Sequence, residues 1–285
     1  MECINKIFNG DSCELLSKID DNSIDLVITS PPYDKLRKYN GVGDTWNVNK
    51  FQCIAKELSR VLKDGGVIVW IVNDAVENGS RTCTSYRQCL YFVEECGLKL
   101  NDTMIWEKTN PMPQVKQKRY SDCFEYMFIF SKGYPKTFNP IKVPCKYAGH
   151  NYNSTAKNMG GENGRRNLNY NVNSEKNKSN IWQFGVSGNK KTITIEKVNE
   201  NGNIEIKEVR HPAVFPIDIV IDHINSWSNE NDIVLDPFMG SGTVAMASIL
   251  TNRKYIGFEL NDEYYQLCLK NINDLNSANE VNINE

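Results

Sequence analysis

Ile233-Val234-Leu235-Asp236-Pro237-Phe238-Met239-Gly240-Ser241-Gly242-Thr243-Val244-Ala245 decides how this chain is read. Three apolar β-formers run into an acid and a proline, which predicts a short buried strand over 233–235 that stops at a turn. Gly240 and Gly242 let backbone approach a ligand where a side chain would block it, and Val244 to Leu250 reads as the helix that follows. The spacing Gly240-x-Gly242-x-x-Ala245 suits a nucleotide-like cofactor at a helix N-terminus. No lysine follows the second glycine, so this is not a phosphate-binding P-loop. Tyr255 to Phe258 predicts the next strand, and Glu259 at its end is an acid where a ribose diol is hydrogen-bonded.

Upstream, the same alternation recurs. Ser23 to Ser30 is a buried run of β-formers ending at Pro31-Pro32, which cannot continue a ladder. Phe51 to Leu62 carries helical apolar spacing and closes into Lys63-Asp64-Gly65-Gly66, with glycine at a C-cap position. Val67 to Val72 predicts a strand, Tyr86 to Cys96 a helix stopped by Gly97, and Leu100–Trp106 and Glu125–Phe130 two further strands. Helices are expected over Pro216–Trp227 and about 263–272, with an Asn-rich frayed tail from Asn276. Alternating β and α with continuous apolar strands argues for an α/β fold, a largely parallel sheet covered on both faces. Between them, Tyr147 to Ile181 has almost no hydrophobic period and reads as long loops, and Thr192 to Val209 reads as a hairpin around an Asn-Glu-Asn-Gly turn.

The second stretch that carries chemistry is Thr29-Ser30-Pro31-Pro32-Tyr33 at a strand end. Two prolines stiffen the backbone and remove two donors, so the carbonyls of Ser30 and Pro31 are aimed at an outside donor, with the flat face of Tyr33 beside them. Such a site suits a planar molecule bearing an amino group.

Composition narrows the class. The 285 residues, 40% hydrophobic and 24% charged, are long enough for a large core and too ordinary for wholesale disorder. No apolar run reaches membrane-spanning length, and Met1 to Lys6 lacks a basic start followed by an apolar run, so a cytoplasmic protein away from membranes is expected. The nine cysteines are scattered with no CxxC pair, and His150, His211 and His223 form no HxxxH pair, so reduced packing cysteines and no metal are expected. The net charge of -2 is unevenly spread. Residues 110–210 hold 17 Lys/Arg against 8 Asp/Glu, a segment charge of +9, which points to a polyanion-facing segment.

Together the two motifs resemble those of the S-adenosylmethionine-dependent amino-group DNA methyltransferases. Thr29 to Tyr33 is similar to their catalytic motif and Asp236 to Thr243 to their cofactor motif, and this order is similar to the permuted β group. The resemblance implies a Rossmann-like seven-stranded sheet with one antiparallel strand and helices on both faces. Residues 1–132 and 211–275 would form the catalytic domain, 133–210 an inserted target-recognition region and 276–285 a flexible tail. It implies S-adenosylmethionine as cofactor, held by Asp11 at the adenine, by Asp236, Phe238, Gly240, Gly242 and Thr243 at the methionine part, by Glu259 at the ribose, and by Phe215 in His211-Pro212-Ala213-Val214-Phe215-Pro216 closing over the methionine end. Ser30, Pro31, Pro32 and Tyr33 would be catalytic, with Glu125 and Tyr126 in the target-base pocket. Arg37, Lys38, Arg165, Arg166, Lys190 and Lys191 are candidates for nucleic-acid contacts. The implied partner is double-stranded DNA, with a separately acting restriction endonuclease left open, as is monomer or homodimer. Serine at the second position of Thr-Ser-Pro-Pro-Tyr favours N4 of cytosine, the alternatives being N6 of adenine, an RNA substrate, or a nicotinamide-dependent oxidoreductase suggested by the glycine spacing alone. Pro144-Cys145 is no cytosine-C5 nucleophile, because it lies in the insertion rather than after a core strand.

Overall fold

Lys6–Asn9 (β1) leads through the short helix Ser12–Leu16 (α1) into the largely buried strand Ile24–Thr29 (β2). Val48–Val61 (α2) carries the chain to the long strand Leu62–Val72 (β3), and a small hairpin, Val76–Glu77 (β4) with Ser80–Arg81 (β5), precedes helix Thr84–Glu94 (α3). Lys99–Lys108 (β6) and Phe124–Ser131 (β7) follow. Next come four short strands, Lys142–Pro144 (β8), Asn151–Lys157 (β9), Arg165–Asn171 (β10) and Glu175–Asn177 (β11). Ile181–Phe184 (β12) and the hairpin Thr192–Val198 (β13) with Ile204–Arg210 (β14) lead to helix Ile217–Trp227 (α4). Ile233–Asp236 (β15), Thr243–Leu250 (α5), Lys254–Glu259 (β16) and Asp262–Ile283 (α6) complete the chain. This computed structural model describes residues 3–32, 46–111, 118–157, 165–186, 192–198, 204–210 and 216–283.

The chain divides into two compact units, Met1–Asn139 with Asn180–Glu285, and Pro140–Ser179. In the larger unit one sheet runs β1-β16-β15-β2-β3-β7-β6-β12. Only β7 is antiparallel to its neighbours in this sheet, β3 and β6. The chain walks one way from β2 to β3 and the other way from β15 to β16, and right-handed crossovers in opposite directions place helices on opposite faces. Accordingly α1, α2 and α3 are neighbours in one layer and α4, α5 and α6 in the other. Fully buried Ile24, Val27, Ile54, Leu58, Ile68, Trp70, Phe92 and Phe130 form the core under α2 and α3. Among the described residues no helix is long and apolar enough to cross a membrane.

Three expectations are corrected. Among the described residues the sheet has eight strands, not seven: β12 adds in parallel to β6, burying Trp182. Only its first residue, Ile181, belongs to the stretch read as loops, and 182–184 carry no predicted element, because a single buried side chain leaves no detectable period. The compact smaller unit is narrower than the inserted stretch 133–210: residues 180–210 of that stretch cluster with the larger unit. Helix α2 ends at Val61 without a glycine cap; Lys132 Nζ, reaching back from the residue after β7, donates to the carbonyls of Ser59 and Leu62 at 3.1 and 2.9 Å. The tail from Asn276 continues as helix to Ile283, propagating from the packed turns of α6.

The smaller unit also departs from the loop reading. β9 pairs with β10 from Asn151↔Asn171 to Lys157↔Arg165, and β8 pairs with β11, both antiparallel. Ladders are closed by backbone hydrogen bonds, which need no apolar alternation in the sequence. In the larger unit, Cys13 of α1 and Cys53 of α2 bring their sulfur atoms into contact with Cα atoms 6.2 Å apart, within bridging range, although 40 residues separate them.

Candidate active site

The parallel strands β1, β16, β15 and β2 are contiguous, so their C-terminal ends gather Asp11, Glu259, Asp236 and Ser30 on one edge of the sheet. β15 and β2 pair only at Val234↔Leu26 and Leu235↔Val27, and beyond these the strands lead to opposite sides. A crevice at such a reversal is where open α/β sheets bind ligands.

Every element of the glycine turn is held by a named group. The Asp236 carboxyl is buried and its Oδ1 accepts the Thr29 hydroxyl at 2.6 Å and the Phe238 N–H at 2.9 Å. Burial pushes its pKa up from 3.8 to about 7, against those two hydrogen bonds. Glu259 Oε2 accepts the Gly240 N–H at 2.8 Å and Oε1 the Asn261 N–H at 2.9 Å, and burial raises this carboxyl as well. Gly242 has φ 90°, and a Cβ there would meet Cys268 Sγ of α6 at 2.8 Å, so both backbone angle and packing demand glycine. Asn271 of α6 donates to the Ser241 carbonyl at 2.9 Å. Helix α5 starts at Thr243 with no side-chain cap, leaving its first N–H groups to face the crevice end.

At the neighbouring strand end Asp11 is the N-cap of α1, its Oδ1 accepting the Cys13 N–H at 2.9 Å, while Oδ2 pairs with Lys50 of α2. Thr29 is fully buried, Pro31 buried, and Ser30 and Pro32 half-buried. Phe238 forms an aromatic wall with Trp46, ring centroids 5.3 Å apart at 89°, and with Trp70 at 6.5 Å. Glu125 is buried in an ion pair with Lys108 at 2.7 Å rather than open to a ligand. Tyr126 stacks on Phe128 at 5.3 Å and shares a hydrogen bond with the Tyr86 hydroxyl; burial and that bond push its phenol up to about 12.

The structure thus brings together Asp11, Ser30, Pro31, Pro32, Asp236, Phe238, Gly240, Gly242, Thr243 and Glu259. Tyr33, Arg37, Lys38, Lys190, Lys191, His211 and Phe215 lie outside the described residues. Arg165 and Arg166 sit in β10 opposite Lys157 and Ala156, in the smaller unit. Sequence reasoning missed Lys50, Thr29 as a bridging group, and Asn271. Only Thr29 carried a signal, as the first residue of its motif; the others meet the site through folding alone. Among the described residues no cluster of three His, Cys, Asp or Glu is arranged to hold a metal.

A family model described as DNA methylase, for the N6/N4 group, matches residues 24–270. The chain belongs to this DNA methylase family. It is an enzyme that methylates amino groups of DNA bases. The methylase is 45% identical over 254 residues to the orphan methyltransferase M.BamHII of Bacillus amyloliquefaciens, covering 88% of this chain and 89% of that protein. It is 31% identical over 269 residues to the type II methyltransferase M.BglII of Bacillus subtilis, covering 93% and 68%. Among solved structures, PvuII DNA methyltransferase (cytosine-N4-specific) shares the fold with a TM-score of 0.65 at 23% identity, covering 95% of the methylase and 90% of that chain.

Proposed function

We propose that the methylase transfers a methyl group to N4 of cytosine in double-stranded DNA, and that Ser30 is the observation carrying the choice of base. The cofactor fits this donor set. Glu259 is a buried acid at a strand end, suited to the ribose hydroxyls, and the uncapped N-terminus of α5 suits the methionine carboxylate. The Gly240-Ser241-Gly242 turn presents backbone rather than side chains, and Asp11 at the end of β1 is within the same edge for the adenine amino group. When bound, S-adenosylmethionine supplies a methyl group on a positively charged sulfur.

The residues after β2 do the remaining work. An exocyclic amino nitrogen shares its lone pair with the base ring and is a poor nucleophile. The Ser30 side chain and the Pro31 carbonyl accept its two N–H bonds, favouring tetrahedral nitrogen with its lone pair directed at the methyl carbon. Tyr33 stacks on the base, which must leave the duplex to reach this crevice. No covalent enzyme nucleophile is needed.

Residues 133–210 carry target recognition, with Arg165, Arg166, Lys190 and Lys191 contacting phosphate or guanine and Arg37 and Lys38 approaching from the catalytic side. Both motifs lie in one chain, so a single copy carries the whole chemistry, as monomer or homodimer and independently of any cognate endonuclease. The test is incubation with unmethylated DNA and S-adenosylmethionine, digestion to nucleosides and mass spectrometry. N4-methylcytosine is expected; N6-methyladenine overturns the base assignment and keeps the mechanism.

A further inference from the structure

We propose that Thr29 is a positioning residue for methyl transfer, its hydroxyl setting, through the Asp236 carboxyl, the gap between the catalytic segment 30–32 and the cofactor turn 237–243. The two strands that carry these segments have only two paired positions, Val234↔Leu26 and Leu235↔Val27, and no backbone ladder beyond. At that point the Thr29 Oγ1 to Asp236 Oδ1 bond, 2.6 Å long and buried, replaces the missing ladder. The same Oδ1 accepts the Phe238 N–H at 2.9 Å, so one oxygen ties the last residue of β2 to the second residue of the cofactor turn. Phe238 in turn abuts Trp46 and Trp70, which spreads the constraint into the wall of the crevice.

The consequence is geometric. In-line transfer requires the amino nitrogen held by Ser30 and Pro31 and the methyl carbon held over the turn to meet at about 3–3.5 Å. The two groups are carried by different strands; Asp25 of β2 accepts the Ile233 N–H at the far end of β15, and Thr29 is the side chain that links the strands at the end that bears both groups. The bond holds acceptor against donor without gripping either molecule, so its loss falls on the chemical step. This inference rests on the assignment of Ser30 and Pro31 to the amino group.

Thr29→Val is nearly isosteric and removes the hydroxyl, Thr29→Ala removes it with less bulk, and Thr29→Ser keeps it. Single-turnover methylation of DNA and calorimetric S-adenosylmethionine binding are measured on the full chain. Valine and alanine variants are expected to slow transfer by about 10- to 100-fold, with cofactor Kd within about 2-fold of the parent, and serine to stay within about 3-fold in rate. Rates within 2-fold for valine and alanine, or a Kd that rises in step with the loss of rate, overturn the proposal. Ser30→Ala reports separately: an unchanged rate there removes the reading of the catalytic segment whatever the Thr29 variants do.

Discussion

Glu259, the last residue of β16, holds the turn that follows β15: its Oε2 accepts the Gly240 N–H at 2.8 Å, and its Oε1 accepts the Asn261 N–H at 2.9 Å. One buried carboxyl group therefore shapes the turn after β15 and starts α6.

Removing it has two separable effects. Glu259→Ala leaves two backbone donors unpaired, about 1–3 kcal/mol each, and removes the proposed ribose acceptor. A lower melting temperature and a cofactor Kd weakened at least about tenfold are expected from calorimetry, with Glu259→Gln intermediate because one acceptor oxygen survives. An unchanged Kd in the alanine variant would show that the carboxylate serves the turn alone.

Asp236 makes stability depend on pH in an unusual direction. Its folded pKa is raised from 3.8 to about 7, so between those values the fold retains a proton that the unfolded chain releases. Stability from this group is full below 3.8, falls as pH rises towards about 7, and is flat above, by at most about 1.4 kcal/mol per pH unit. Asp236→Asn keeps an acceptor for Thr29 and Phe238 and cannot ionise. The melting temperature of the parent, measured relative to this variant, is expected to drop across that window; a constant difference refutes the buried ionisation.

Asn271 of α6 also holds the turn, through the Ser241 carbonyl. Asn271→Leu leaves the buried Ser241 carbonyl without its donor, about 1–3 kcal/mol, or a fall of roughly 2–10 °C in melting temperature for a domain of this size. Cofactor binding should weaken with it, because Ser241 sits between the two glycines. Unaltered melting would mean that packing of Cys268 against Gly242 suffices to shape the turn.

The basic stretch 110–210, at +9, should make DNA affinity fall as salt rises. Lys190→Glu with Lys191→Glu is expected to flatten the slope of log K against log salt by about 0.9 for each DNA phosphate that the variant no longer neutralises. A flat response in the parent chain would remove the polyanion reading of this segment.

Much of the α/β scaffold was legible because its strands are buried on both faces and so read as continuous apolar runs. Ile24–Thr29 and Ile233–Asp236 stand within a residue or so of their expected limits for that reason. β1, only Lys6–Asn9 at the sheet edge, and β12, with Trp182 as its one buried side chain, were invisible because four half-exposed residues carry no period.

By itself the sequence determined the two loops that matter: prolines after β2 and glycines after β15 are local backbone constraints, written where they act. Only the tertiary structure decided what stands between those loops. Thr29 and Asp236 are 207 residues apart, and their hydrogen bond exists because two parallel strands, each dictated by its own hydrophobicity, lie side by side with ends that no ladder joins. Lys50 beside Asp11 and Asn271 beside Ser241 arise the same way. Local pattern specifies an element and its ends, whereas partners across a sheet or between layers follow from strand order, which no single stretch of chain contains.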